Sequence, residues 1–598
     1  MVRDDGGQRK KLARAASLMS EATVDGTRAI ARPRLAWIRT AEALVAAIVV
    51  VSIVLHVLWL VRFRNGYVTE WDESGYMQFA LSNYDALREE GPWSFAKTVG
   101  GRGGYGPLLP FVTSLTYPLF GRGTFESFLV LPVFFAGLVG VTFALARQFL
   151  ANSWAVVAAI VVAAMPAVLD YTRLFHFALP ATACMTAALW ALVRTDGLRR
   201  AAWAAVFGVF VALTLLARTM TVAYIPAFGL AVATQFLVQG TELRVKARSL
   251  GVAVGAVVLV AGPWYIRNAR SVYDILVGAG YGSESAQYGA DYPLASWGYW
   301  TKELRLDLFH LGLPLAVALL LAFLAALVYR AVAQRSLSGR LPRNARGAGL
   351  LALVLVVVEG YLSLTSSRNQ GTAFALPWLP TLVVLGIVAA ASIRIRAVRV
   401  ALAGAFVAVS LAAVLSKSGW VEPLAETRTV SVPGLGRAFV TDGTGLIQRE
   451  VAGAGYNIEP VTHPLPAMHR EWLPLARDVL GWSLRRAEER DESLGLILGS
   501  DDLIFSNWRL ILAGQLWFRR FQPVGYLQTF PEGDTVAAYR RQLLEKPRNA
   551  FVSFDPAPYA EITRRKAEAA ARSLGFVPVK SFTMPDGRTL WVWWRQKA

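Results

Sequence analysis

Two carboxylates stand side by side in the stretch GYVTEWDESGYMQFA, at Asp72 and Glu73, directly after the first long apolar run. A carboxylate within hydrogen-bond reach of a hydroxyl or amine can take its proton as that group attacks, so the pair is suited to general-base chemistry. The same residues also have a local reading. Thr69 precedes Asp72 by capping-box spacing, although the usual partner is Glu or Gln, and a helix dipole favours acids in the first turn. Tyr76, Phe79, Ala80 and Asn83 then recur at helical spacing, as in an amphipathic helix lying along a membrane surface. A second set is five arginines: Arg102, Arg173, Arg218, Arg267 and Arg368. A guanidinium pairs two phosphate oxygens at once and keeps its charge. Each arginine taken singly also fits an interfacial anchor.

Such residues need a frame to bring them together, and the composition says which frame. The chain has 598 residues, 55% hydrophobic and 17% charged, with mean hydropathy +0.42. About eleven membrane spans are predicted, at 41–62, 126–146, 154–169, 178–193, 202–217, 221–239, 249–265, 308–329, 348–365, 374–392 and 398–416. The segments between them alternate in charge. One side carries Arg9, Lys10, Lys11 and Arg14, then Arg199, Arg200, Arg244, Lys246 and Arg248, the run RAVAQRSLSGRLPRNAR, and Arg394, Arg396 and Arg399. By the positive-inside rule that side is cytoplasmic. The formal net charge of +20 therefore reports topology, and no nucleic-acid partner is expected.

On this topology the basic segment 1–40 is cytoplasmic, and the first span, with no cleavage site behind it, stays as an anchor. Loops 63–125 and 266–307 face outward, with everything after residue 416. The acidic pair and the five arginines all fall at or near that outer side, where positive charge is normally depleted. From 417 to 598 the apolar runs shorten and charges become frequent. LGLILGS and NAFVSFD read as strands, YAEITRRKAEAAARSLG as a helix ending at glycine, and FVPVKSFTMPDGRTLWVWW as a hairpin about Asp-Gly. The expected fold class is an all-α polytopic membrane domain, 41–416, plus a C-terminal soluble α/β domain, 417–598, outside the membrane. The single cysteine, Cys184, lies in an apolar run and supports neither a disulfide framework nor a thiolate metal site.

A first span followed by an outer loop with an acidic pair resembles the GT-C superfamily of membrane glycosyltransferases, in the branch of the aminoarabinose transferases and protein O-mannosyltransferases. GYGPLLPFVTSLTYPLFG, DYTRLFHFALPATACMTAALWAL, LLARTMTVAYIPAF, GPWYIRNA and SSRNQGTAFALPWLPTL follow in the same order over residues 40–416. The resemblance implies transfer of a hexosyl or pentosyl group from a polyprenyl-phosphate carrier to a lipid, glycan or protein acceptor, with inversion. It makes Asp72 the general base and Glu73 the group that orients the acceptor or holds the base. The phosphate falls to Arg267, Arg368, Arg173, Arg218 and Arg102. Tyr76, Asn268, Asp170 and His176 become candidate substrate contacts, the last two standing near Ala178, where the family often has an acid.

No cofactor is expected, and a divalent ion at Asp72 and Glu73 is the alternative, not the favoured reading. His463 and His469 lack zinc-ligand spacing, and adjacent acids on a helix point about 100° apart. There is no Walker-type loop and no nucleophile elbow. The expected location is a bacterial inner membrane, multi-pass. The rival reading is a transporter or flippase of an anionic lipid-linked amphiphile. It is disfavoured because the polar groups sit at one rim rather than at the bilayer midplane.

Overall fold

The computed structural model describes residues 40–64, 71–101, 103–282, 285, 292–333, 344–367, 369, 374–421, 428–441, 471–499, 505–519, 523–527, 533–545, 548–554 and 563–596. Up to residue 421 it is helical. Helix α1 (Thr40–Arg64) leads to α2 (Trp71–Asp85), α3 (Pro92–Gly100) and α4 (Leu108–Phe120) in the first long loop. Then come α5 (Thr124–Ala146), α6 (Asn152–Ala163), α7 (Pro166–Tyr171), α8 (Ala178–Arg194), α9 (Ala201–Ala217), α10 (Thr219–Phe236) and α11 (Leu243–Arg267). The second long loop holds α12 (Ala269–Asp274) and α13 (Trp297–Leu311). Helices α14 (Leu313–Ala333), α15 (Ala345–Ser366), α16 (Leu379–Ser392) and α17 (Arg396–Ser418) complete the bundle.

Among the described residues seven helices, α1, α5, α10, α11, α14, α15 and α17, are long and apolar enough to cross a membrane. The protein is a multi-pass membrane protein. The remaining four predicted spans coincide with α6, α8, α9 and α16, which hold only 12, 17, 17 and 14 residues. Of the about eleven expected spans, seven are matched among the described residues by helices of spanning length and four by shorter ones. The third predicted span breaks because Pro166 lacks the amide hydrogen that would continue the ladder, and it begins α7 instead. Helix α4 is an apolar helix of 13 residues that no predicted span covered.

The short helices sit inside protein. Every residue from Ala178 to Leu189 of α8 is buried, between α5 and α9. Its threonines return their hydroxyl hydrogens to the preceding turn, Thr182 to the Ala178 carbonyl at 2.7 Å and Thr186 to that of Thr182 at 2.9 Å. Helix α9 approaches α11 at Gly208, where a Cβ would stand 2.2 Å from the Ala253 carbonyl oxygen. Small residues permit that approach where lipid supplies no hydrophobic drive.

The C-terminal part pairs β1 (Arg428–Val432) with β2 (Gly436–Thr441) and then builds a second sheet. Its elements are α18 (Trp472–Glu489), β3 (Leu496–Leu498), α19 (Asn507–Phe518), β4 (Val524–Tyr526), α20 (Val536–Glu545), β5 (Ala550–Ser553), α21 (Arg564–Arg572), β6 (Phe576–Thr583) and β7 (Thr589–Arg595). The strand order is β4-β3-β5-β7-β6, with β4, β3 and β5 parallel and β7 and β6 an antiparallel hairpin. Gly587 in the Asp-Gly turn takes φ +85°, which a side chain would resist. One buried apolar cluster runs without a break from the bundle into this sheet domain.

Candidate active site

Asp72 and Glu73 occupy the first turn of α2, and the surroundings of Glu73 are resolved in detail. Its side chain is fully buried. Oε2 accepts from Arg64 Nη2 at 2.6 Å, and Oε1 accepts the Phe175 amide at 2.8 Å. Arg64 also donates to the Arg173 carbonyl at 3.0 Å and lies 4.5 Å over the Phe128 ring. Arg173 donates through Nε to His56 Nδ1 at 3.3 Å and through Nη1 to the Lys417 carbonyl at 2.6 Å, with Trp59 under its guanidinium at 4.4 Å. Lys417 closes the chain on Asp170 at 2.9 Å, both groups nearly sealed from solvent. Three cations thus face two carboxylates in one buried network, which ties α1, α2, the 170–175 segment and α17 together. Burial makes each pairing obligatory, because a lone charge left there costs several kcal/mol, on the order of 3–5.

Three residues of the sequence reading lie in this network: Glu73, Arg173 and Asp170 are buried and find partners within the protein. His176 is likewise engaged: Nδ1 accepts the Ala178 amide at 3.1 Å at the start of α8, and the ring packs on Phe177 and Tyr171.

Arg218 stands differently. It ends α9, and its guanidinium is sandwiched between Phe374 at 3.9 Å and Phe177 at 4.5 Å, a cation–π arrangement that fixes a planar charge. Phe177 in turn meets the buried Tyr76 of α2 edge-on, ring centroids 4.8 Å apart. A rigid guanidinium therefore lies two ring contacts from the acidic helix.

The glycine-rich loop after α3 joins these parts. A Cβ at Gly106 would stand 2.6 Å from the carbonyl oxygens of Leu216 and Ala217, so the loop backbone lies directly on the end of α9. Thr219 donates its hydroxyl to the Gly104 carbonyl. Asn268 holds the Gly100 carbonyl at 2.9 Å and that of Trp264 at 2.9 Å. The exposed Arg267 places its guanidinium over Gly100 and Gly101, where a Cβ would come within 3.6 Å of it. A cavity of about 300 Å³ is lined by Met220, Val222, Tyr281, Ser367, Asn369 and Phe374, among others. Tyr224 donates to the Phe374 carbonyl.

Residues 105–266 match the model of a family described as dolichyl-phosphate-mannose-protein mannosyltransferase. No curated protein matches the chain at significance. Among solved structures, ArnT from Cupriavidus metallidurans bound to undecaprenyl phosphate is 14% identical, with 92% of this chain and 97% of that chain covered and a TM-score of 0.51. The apo oligosaccharyltransferase of Archaeoglobus fulgidus is 12% identical over 85% of this chain and 69% of that one, with a TM-score of 0.48. The chain shares the fold of this ArnT structure.

Within this fold, Arg267 and Asn268 lie against Gly100 and Gly101, while Tyr76 meets Tyr105 of the loop and Phe177, the ring that also contacts Arg218. Arg102 and Arg368 lie outside the described residues, and Asp72 is placed by its backbone in α2. Among the described residues no three His, Cys, Asp or Glu side chains come together as a metal site. Three residues of the network escaped the sequence reading: His56, Arg64 and Lys417. Arg64 and Lys417 carry the signal that singled out the others, a cation at the predicted outer end of a span, here the first and the last. His56 carries none beyond its presence in an apolar run.

Proposed function

We propose that the chain is an integral membrane glycosyltransferase that moves a sugar from a polyprenyl-phosphate carrier to an extracytoplasmic acceptor. The observation that carries this reading is the seating of α2. Its first turn is held by Glu73 on Arg64 and Phe175, and one turn on Tyr76 meets both Tyr105 of the loop and Phe177, the ring that also contacts Arg218. Asp72 is the general base. It takes the proton of an acceptor hydroxyl or amine as that oxygen or nitrogen bonds to the anomeric carbon. The anomeric carbon–oxygen bond breaks on the opposite face, giving inversion, and the carrier leaves as its phosphate. The charge growing on that phosphate is met by preorganised guanidinium groups, Arg218 first, with Arg267, Arg368 and Arg102 as further donors. The cavity beside Phe374 suits the donor head group, being mostly apolar with a few polar tips. Tyr76, packed on Phe177 and Tyr105, is a further candidate substrate contact.

The reading assigns no cofactor and no metal. The acceptor is a lipid, glycan or protein, and the sugar a hexose or pentose. The site faces the outside of what we read as a bacterial inner membrane, with the N-terminus cytoplasmic.

The test is transfer in membranes from labelled undecaprenyl-phosphate sugars, comparing wild type with Asp72→Asn. Label should enter a new product, and the variant should be slower by about 10²–10⁴-fold. Equal rates would remove Asp72 from its role. Label that crosses the membrane still attached to its lipid would support a carrier instead.

A further inference from the structure

Helix α2 is covered on two sides, and the second side belongs to the C-terminal domain. At about 100° per residue, Glu73, Tyr76, Met77 and Ala80 share one face, and Gly75, Gln78, Phe79 and Ser82 share the other. The first face meets the bundle through Arg64 and Phe177. The second meets α19. A Cβ built on Gly75 would touch the Trp508 ring at 3.6 Å, so the indole lies against nearly bare backbone one turn beyond Asp72. Gln78 Nε2 donates to the Trp508 carbonyl at 3.2 Å, and Phe79 packs edge-on against the Trp508 ring at 6.4 Å between centroids. One turn further on, Gln515 and Ser82 share a side-chain hydrogen bond. Arg122 grips both Asp85 oxygens, at 2.8 and 2.6 Å, and the Gln515 carbonyl at 3.0 Å.

These contacts run the length of α2 at helical spacing, a stripe rather than a chance touch. Helix α19 is in turn fixed in its own domain. Ser506 caps it at the Arg509 amide, and Leu510, Leu512 and Ala513 are buried. By helical geometry position 72 falls at the seam between the two faces.

We propose that the C-terminal domain is a positioning part of the catalytic site, with Trp508 and Gln515 as positioning residues that set the angle of α2 and hence of Asp72. The role of Asp72 rests on the reading above; the clamp itself does not. Misplacing a reacting group by about 1 Å costs on the order of 10²-fold in rate, so a clamp of this kind would be felt in turnover.

The experiment uses the full chain in detergent, as wild type, Trp508→Ala, Trp508→Phe and Gln515→Ala. Hydrogen exchange is followed in peptides covering 71–85, with peptides from β3, β5 and β7 as the control for a folded C-terminal domain. Exchange in α2 should quicken by about 10-fold in Trp508→Ala, less in Trp508→Phe, with the sheet peptides unchanged. Unchanged exchange in α2 overturns the clamp. Transfer from a labelled undecaprenyl-phosphate sugar supplies the second arm. In Trp508→Ala kcat should fall by about 10²-fold at an unaltered KM for the lipid donor, with partial rescue by phenylalanine. A normal kcat alongside quickened exchange overturns the positioning role. A wild type inert toward the donor overturns the transferase reading, and the exchange arm still decides the clamp.

Discussion

Of the two neighbouring carboxylates, Glu73 is fully buried. Glu73 is sealed with Arg64, and each is the other's charge partner. Glu73→Gln keeps the shape but leaves the Arg64 guanidinium buried against a neutral amide. The expected cost is about 3 kcal/mol, within the range for breaking a buried pair, and thermal unfolding in detergent should show it as a lower midpoint. Asp72→Asn, as the variant of a base that acts on substrate, should leave that midpoint near wild type while removing transfer. The two substitutions thus separate holding from chemistry at adjacent positions. The acidic pair was visible in the sequence, but the division of labour was not. It depends on which direction along α2 meets Arg64 and Phe175, residues 9 and 102 positions away.

At the scale of elements, α13 presents a second arrangement of acids. Glu303 and Asp307 are one turn apart on its buried side, and Lys302 of the same helix donates to the Ser367 carbonyl at 2.6 Å. Burial pushes the Glu303 carboxyl up to about 8, partly opposed by Lys302, and burial together with Glu303 raises Asp307. The protonated form is the one the fold favours. Its contribution to stability is therefore complete below the ordinary value of 4.5 and disappears as pH rises through about 8. Unfolding midpoints measured between about pH 5 and 9 should fall with pH in wild type and fall less in Glu303→Gln. Elements of this kind mark the limits of sequence reading. The long apolar helices were legible because a bilayer core imposes one length. The short helices α6, α8, α9 and α16 were legible as apolar runs as well, and only α4, whose 13 residues lie in the first long loop, was not. The break at Pro166 was marked in the sequence by the proline itself, and the tight seat of Gly106 on α9 only by its setting in GGRGGYG.

For the whole molecule, the decisive feature is that bundle and sheet domain share one core. A tethered C-terminal domain would melt on its own. Here α2 lies between the two, and the buried cluster passes through it. Calorimetry of the full chain should therefore give one cooperative transition, and Trp508→Ala should split it in two. The boundary near residue 416 could be read from composition, since charge density changes there. The docking could not, because Trp508 and Gly75 are 433 positions apart and only the fold makes them neighbours.

The ion pair of Lys417 with Asp170, together with the bond from Arg173 to the Lys417 carbonyl, has a consequence for biogenesis. These partners come from the last helix of the bundle, while Arg64 and His56 come from the first. During synthesis the early helices insert while two buried charges still await their counterparts. The pocket is completed only once residue 417 has left the ribosome, so a nascent chain holding the acidic helix alone stays inert until nearly the entire bundle has entered the bilayer.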